Sequence, residues 1–254
     1  MARTGGPQKP GGRTQGTAYD WFARRAASVG ASVDMSSVTA NFLAGIDRAA
    51  SGRWEKALER AAALPGDIRP QKVKALTDQF ARELAAVGAA TGAAAAAPAV
   101  GTAATLMAST AELAWFTARS GDLILTMAAL HHRTEPTVEE RRAWVLAVLI
   151  FGSSAREGFT SAASQLGLEL EQTGSRVPLA SLRAINGLLG NSLLRRYGTR
   201  RGAIALGTAL PLGIGAVIGG SANYAAVKAL SRNADRFFSK LPYSAIDVTA
   251  KESS

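Results

Sequence analysis

The sequence predicts an all-α protein, a single multi-helix bundle with Ala/Gly-rich central and C-terminal helices. Apolar residues recur at helical spacing from Tyr19 onward, and only the short run from Trp144 to Phe151 is ambiguous between helix and strand. With 254 residues, 47% of them apolar, the chain can bury the core of one large helical domain. We expect a flexible basic tail over residues 1–17, the helical domain over 18–242 and a polar C-terminal tail over 243–254.

Caps and stops delimit the helices of the first half. Ser36 or Ser37 caps a helix that ends near residue 50, and Pro65-Gly66 stops the next helix, which begins at Trp54. A third helix begins at Arg69-Pro70. Its apolar residues at 3.6-residue spacing indicate one buried face (Val73, Leu76, Phe80, Leu84 and Val87). A break over residues 88–98 then separates it from a long helix over about residues 100–130.

Turns and glycines set the boundaries in the second half. Residues 134–137 form a turn and a cap, and Glu139 and Glu140 follow in the first helical turn, where the helix dipole favours acids. The run 144–151 is too short to cross a membrane and predicts a fully buried core helix, which Gly152 interrupts. We expect further helices from there to about residue 168, over about 179–189, from 193 onward, and a last helix ending near residue 238.

Two long segments carry no charged residue, Leu84 to Thr110 and Gly202 to Val227. Each is long enough for a membrane-spanning helix, but both are rich in alanine and glycine and each contains one proline. Small residues equally let helices approach closely inside a bundle. We favour this second interpretation, with close packing at Gly215, Gly219 and Gly220, and a hairpin inserted in a bilayer stays open.

The net charge of +10 favours acidic partners such as anionic lipid headgroups, although ordinary solubility also explains it. Clustered arginines are the candidate contacts to an anionic surface: Arg24, Arg25, Arg195, Arg196, Arg200 and Arg201. We do not expect nucleic acid as a partner, because no recognition helix or stacking aromatic residue accompanies them. The N-terminus has no apolar signal-peptide region, so we expect a cytoplasmic protein that associates peripherally with a membrane.

Charged residues interrupt the long apolar helix in its second half. Glu112, Arg119 and Asp122 are spaced by seven and three residues, which places them on one side of the helix. They predict either a polar stripe lining a ligand groove or an internal ion-pair network, and we favour the network, because a buried carboxylate needs a partner. Asn223 is a second candidate of this kind.

The sequence contains no catalytic or metal-binding constellation that we recognise. There is no cysteine, no Gly-x-Ser-x-Gly and no phosphate-binding loop, so we expect no cofactor and no enzyme activity. His131, His132 and Glu135 superficially resemble metal ligands. However, adjacent histidines point about 100° apart on a helix and no third imidazole exists, so His131 and His132 favour a C-terminal cap instead. A hydrolase that uses Glu112 or Asp122 is the least favoured alternative.

The block from Gly207 to Phe238 resembles the closing signature of the EcsC family. That signature runs from a proline through small residues, Gly-Gly and an asparagine to a helix ending in alanine and phenylalanine, here at Pro211, Gly215, Gly219, Gly220, Asn223, Ala234 and Phe237 or Phe238. Upstream, the similar positions are Thr91-Gly92, Pro98, Glu112 and Glu139-Arg141. Two departures are Glu112, where the family has Asp, and His131-His132 in place of Tyr-Gly.

The resemblance extends over about residues 58–238. It implies a bacterial protein of a family named for a gene beside an ABC-transporter pair, and it implies no enzyme activity and no cofactor. We therefore expect a non-enzymatic, membrane-associated helical protein that binds an anionic membrane surface or a membrane partner such as a transporter. The alternative is a soluble carrier of a lipid-like apolar ligand, held between the long central helix and the Gly-rich C-terminal helix.

Overall fold

The computed structural model describes residues 35–95, 102–133, 135–168, 177–197 and 219–241, and the tails predicted over residues 1–17 and 243–254 lie outside these ranges. The described α-helices are α1 (Met35–Gly52), α2 (Trp54–Ala63), α3 (Arg69–Ala95), α4 (Thr102–Leu130), α5 (Val138–Phe151), α6 (Ala155–Ser164), α7 (Leu179–Tyr197) and α8 (Gly219–Lys240). No strand occurs in the described ranges, so the all-α prediction is confirmed.

Helices α4 and α5 lie at the centre of the bundle. Helix α4 packs against α1, α2, α3, α5 and α8, and α5 also packs against α1, α6, α7 and α8. Because α5 is surrounded, every residue from Ala143 to Ile150 is buried. This agrees with the prediction of a fully buried core helix. The helix begins directly after the Thr137 cap and ends at Phe151. Gly152 follows with a φ of 56°, and the chain continues as a short 3-10 turn over Gly152–Ser154.

Small residues bring α1 and α4 into close contact. A Cβ added at Gly121 would lie 2.4 Å from the Cβ of Ala49, and one added at Gly45 would lie 2.7 Å from the carbonyl oxygen of Ala114. Only glycine leaves room for backbones this close. The predicted close packing at Gly215, Gly219 and Gly220 stays a prediction. Gly215 lies outside the described residues, as do the surroundings of the two glycines that begin α8.

Two helices run through residues that we expected to break them. Helix α3 continues past Gly88 to Ala95, because the segment is mostly alanine, the strongest helix former. Helix α7 is a single helix where the sequence predicted two. Its buried residues Leu182, Ile185, Leu189 and Leu193 continue on one face across Gly190. Burying each such side chain stabilises by about 1.5–3 kcal/mol, which outweighs the cost of about 1 kcal/mol for a helical glycine.

None of the described helices, over the described residues, combines the length and the apolar character that a membrane crossing needs. Most of the second uncharged segment, residues 202–218, lies outside the described ranges.

Candidate functional site

The structure brings Arg119 and Asp122 of α4 together in a network of ion pairs. Nη1 of Arg119 donates a hydrogen bond of 2.6 Å to Oδ2 of Asp122, and Nη1 of Arg53 donates one of 2.7 Å to the same oxygen. Arg53 lies between α1 and α2. On the other side, Nη2 of Arg119 donates to Oε2 of Glu83 on α3. The network therefore connects three parts of the bundle, and with Arg60 of α2 we call it the Asp122 cluster.

Two guanidinium groups of the Asp122 cluster stack on one aromatic ring. The Cζ atom of Arg119 lies 4.6 Å from the ring centroid of Phe80 on α3, and that of Arg60 lies 5.3 Å from it. Both distances are within the range of cation–π attraction. Nη1 of Arg60 also donates a long hydrogen bond of 3.4 Å to Oγ1 of Thr126. The ring thus holds both side chains against the cluster.

The pKa values of the two stacked arginines shift in opposite directions, although burial lowers both. Burial alone would lower the pKa of Arg119, but its hydrogen bonds to Glu83 and Asp122 outweigh this and raise the pKa. Burial also lowers the pKa of Arg60, where the nearby carboxylates of Asp122 and Glu83 offset it only in part. The side chain of Asp122 is 5% exposed and that of Arg119 is 14% exposed, so these two form the buried floor of the cluster.

The side chains of the other predicted site residues lie outside the described part of the structure. Glu112 belongs to α4 and Asn223 to α8, but their side chains lie outside the described part of the structure. The same holds for Arg195 and Arg196, whose backbone is part of α7. Arg24, Arg25, Arg200 and Arg201 also lie outside the described residues.

The residues that follow the carboxyl end of α4 make a second set of polar contacts, with α8 and with Leu241 directly after it. Nε2 of His131 lies 2.8 Å from Oδ1 of Asp235, and the His131 side chain is 3% exposed. This hydrogen bond lowers the pKa of Asp235. Nη2 of Arg133 donates to the carbonyl oxygens of Phe238, at 3.1 Å, and Leu241, at 2.9 Å. A cation at the end of a helix satisfies carbonyls that have no helical partner. We call these contacts the α8 anchor.

The α8 anchor also bears on the metal interpretation that we had disfavoured. His131 faces α8, 104 residues further along the chain, and not Glu135. In the described ranges, no three histidine or acidic side chains are grouped as a metal ion requires. The pairing of His131 with Asp235 was missed by sequence reasoning, because nothing in the local pattern connects the two.

Sequence reasoning also missed a row of basic residues on α8. Its members recur every four residues, which places them on one side of the helix: Lys228, Arg232, Arg236 and Lys240. The last three are exposed, and Nζ of Lys228 lies 4.5 Å from the ring centroid of Tyr224. The other side of α8 is buried, with Val227, Ala234, Phe237 and Phe238 in the core. This α8 basic row could have been found from its four-residue spacing.

A groove of about 540 Å³ lies beside the turn between α2 and α3. It is open, and Leu64, Pro65 and Ala75 line it together with Lys74 and Asp78. Nζ of Lys74 donates a hydrogen bond of 2.7 Å to Oδ2 of Asp78. The groove does not lie between α4 and α8. The carrier alternative places its cavity between the long central helix and the Gly-rich C-terminal helix, and residues 202–218 of that Gly-rich segment lie outside the described ranges, so this alternative stays a prediction. In the described ranges those two helices pack against each other directly.

Comparison of this chain with family models, curated proteins and solved structures gave no match.

Proposed function

We propose that the protein is a non-enzymatic, membrane-associated helical protein of the EcsC type. It binds peripherally to an anionic membrane surface or to a membrane partner such as a transporter. The α8 basic row is the observation that carries this proposal, together with the net charge of +10. The resemblance of the block from Gly207 to Phe238 to the EcsC signature supports the family.

The α8 basic row has the geometry of an electrostatic contact. Its first and last residues are twelve positions apart, which corresponds to about 18 Å along a helix. A basic residue near an anionic bilayer contributes about 1 kcal/mol, so the row supplies about 4 kcal/mol at most. Because the apolar side of α8 is buried in the core, the helix contacts lipid headgroups without inserting. Such binding is reversible and weakens as salt screens the charges.

The Asp122 cluster supports the non-enzymatic part of the proposal. Asp122 and Arg119 are the charged residues of α4 that a reaction would use first. However, Oδ2 of Asp122 accepts from two guanidinium groups, and Arg119 is divided between two carboxylates. Groups held in this way serve more naturally as connections between helices than as a general acid or base.

Vesicle flotation tests the proposal. The purified full chain is floated with phosphatidylcholine vesicles that contain or lack phosphatidylserine, at low and at high salt. We expect binding to the phosphatidylserine vesicles alone, and loss of that binding at high salt. The double variant Arg232→Glu/Arg236→Glu should bind at least about thirtyfold more weakly, because removing two contacts of about 1 kcal/mol each has this effect.

A matched control separates the α8 basic row from net charge. The double variant Arg48→Glu/Lys56→Glu changes the charge equally at exposed positions of α1 and α2. It should keep most of the binding. Equal losses in both variants would contradict a role for the row, and no binding of the wild-type chain at low salt would contradict the whole proposal. Release from vesicles by equimolar nucleic acid would favour the rejected nucleic-acid alternative.

A further inference from the structure

We infer that the Asp122 cluster binds a phosphate group, which Arg60 and Arg53 contact from the solvent side. The phosphate belongs either to a small soluble molecule or to the headgroup of a phosphomonoester lipid. This site is separate from the α8 basic row and does not depend on the proposed function.

The Asp122 cluster contains more positively charged groups than negatively charged groups. Among the described residues, the charged groups that act on Arg60 are the carboxylates of Asp122 and Glu83 and the guanidinium groups of Arg119 and Arg53. Together with Arg60 itself, three cations face two anions. The cluster therefore has one positive charge in excess, which a bound anion would neutralise.

Both carboxylates are already engaged by the other two arginines. Asp122 accepts from Arg53 and Arg119, and Glu83 accepts from Arg119. Among the described residues, the one hydrogen-bond acceptor of Arg60 is the hydroxyl of Thr126, at 3.4 Å, and that hydroxyl donates its own proton to the backbone oxygen of Asp122. A neutral acceptor at this distance is weak compensation for a guanidinium group.

Burial makes the excess charge costly. Arg60 is half-buried, and this burial lowers its pKa, which means that the surroundings do not fully replace the water that it loses. Nε of Arg119 is also buried and has no hydrogen-bond acceptor among the described residues. The cluster thus holds more donors than acceptors, the composition expected of an anion site.

The arginines of the Asp122 cluster are held in place before an anion binds, and two of them are accessible to solvent. Phe80 supports the planes of Arg60 and Arg119, so binding an anion orders little that is not already ordered. The side chain of Arg53 is 31% exposed and Arg60 reaches the surface, whereas Asp122 lies beneath them. Guanidinium groups bind phosphate oxygens through paired N–H donors, which favours phosphate over a compact monovalent anion such as chloride.

Isothermal titration of the full chain tests this inference, with inorganic phosphate and with dihexanoyl phosphatidic acid below its micelle concentration as probes. Arg60→Gln should weaken binding of each probe by at least about tenfold, the equivalent of one charge-assisted hydrogen bond. Lys56→Gln removes the same charge from an exposed position of α2 and should bind as the wild type does. Arg60→Lys keeps the charge but not the paired N–H donors, so its affinity for each probe should lie between those of Arg60→Gln and Lys56→Gln.

Each outcome bears on the inference. Equal affinity for both probes indicates a small soluble phosphate, and tighter binding of the phosphatidic acid indicates a lipid headgroup. Absence of binding to the wild-type chain overturns the inference, as does equal weakening by Arg60→Gln and Lys56→Gln. Circular dichroism of Arg60→Lys and Arg60→Gln establishes that both are folded. Arg232→Glu/Arg236→Glu should bind phosphate normally, so failure of the membrane proposal leaves this test intact.

Discussion

Polar contacts join α4 and the residues after it to the rest of the bundle in two places, and the carboxylates in these two places lie at very different depths. In the Asp122 cluster, the Asp122 side chain is 5% exposed and accepts from two guanidinium groups. In the α8 anchor, the Asp235 side chain is 41% exposed and pairs with His131. The Arg53–Asp122 pair and the His131–Asp235 pair each join distant parts of the chain at hydrogen-bonding distance, so distance alone does not distinguish them.

The ion pairs of Asp122 and Asp235 should contribute differently to stability, because they are buried to different depths. A surface pair contributes little because water competes for both partners, whereas removal of one partner from a buried pair leaves the other charge uncompensated. The Asp122 cluster should therefore behave as a structural connection among α2, α3 and α4. In the α8 anchor, the buried guanidinium of Arg133 should matter more than the carboxylate of Asp235.

Asp122→Ala should produce the largest loss of stability. It leaves Arg53 and the buried Arg119 without their shared carboxylate, and breaking a buried pair in this way costs about 3–5 kcal/mol. The measurement is the free energy of unfolding from urea titration. Asp235→Ala is the matched control, and it should cost less, about 1–2 kcal/mol, because its carboxylate is partly exposed although the buried His131 ring loses its hydrogen-bond partner. Similar losses in the two variants would contradict the distinction by depth.

Arg133→Met should cost about 2–3 kcal/mol. Arg133 is 8% exposed, and its loss removes the donor to the carbonyl oxygens of Phe238 and Leu241 at the end of α8. Hydrogen exchange of the last turn of α8 should accelerate more than that of its first turns. Arg236→Met removes an exposed cation from the same helix and should change stability by less than about 0.5 kcal/mol. A uniform acceleration along α8 would show that the anchor is not local.

Gly121→Ala should cost about 1–2 kcal/mol, although alanine is the better helix former. Gly121 lies one residue before Asp122, where the added Cβ would meet Ala49 of α1 at 2.4 Å and force the helices apart. Gly187→Ala is the matched control, because nothing lies within 4 Å of the added Cβ there. It should stabilise by about 0.5–1 kcal/mol. Urea titration of both variants gives the sign, and stabilisation by Gly121→Ala would contradict the close crossing.

The features of the fold that could be predicted from the sequence are those that depend on residues close together in the chain, such as helix boundaries. The end of α2 follows from Pro65-Gly66, and the start and end of α5 follow from Thr137 and Gly152, because caps and breakers act over one helical turn. The end of α8 was predicted near residue 238 and lies at Lys240, but its start at Gly219 was not predicted. The shared side of Arg119 and Asp122 follows from their spacing of three. Helix α7 was predicted less well, since the cost of Gly190 is overcome only by contacts that its leucines make with other helices.

The partners in both polar regions were beyond sequence reasoning. Arg53 is 69 residues from Asp122, Glu83 is 36 residues from Arg119, and His131 is 104 residues from Asp235. Periodicity identifies which side of a helix is buried, but not which helix covers it. The exposed α8 basic row was different, since its spacing of four lies wholly within one helix and needs no knowledge of packing.

Glu140→Gln should have the smallest effect on stability. It tests whether this half-buried carboxyl, which lies near Arg133 of the α8 anchor, makes stability depend on pH. Burial raises the pKa of Glu140 from 4.5 to about 7, and the charges of Arg133 and Arg141 offset this only in part. Between these pH values the folded chain keeps a proton that the unfolded chain releases, so stability falls as pH rises from 4.5 to about 7 and is level above it.

The loss should be about 1 kcal/mol, because Glu140 is only partly buried and solvent reduces the effect. Gln at this position still completes the cap in which Thr137 accepts from the backbone N–H of Glu140 at 3.2 Å. Urea titrations at pH 5 and pH 8 should therefore show the loss in the wild type and not in Glu140→Gln. A loss of the same size in Glu140→Gln would show that Glu140 is not the group responsible.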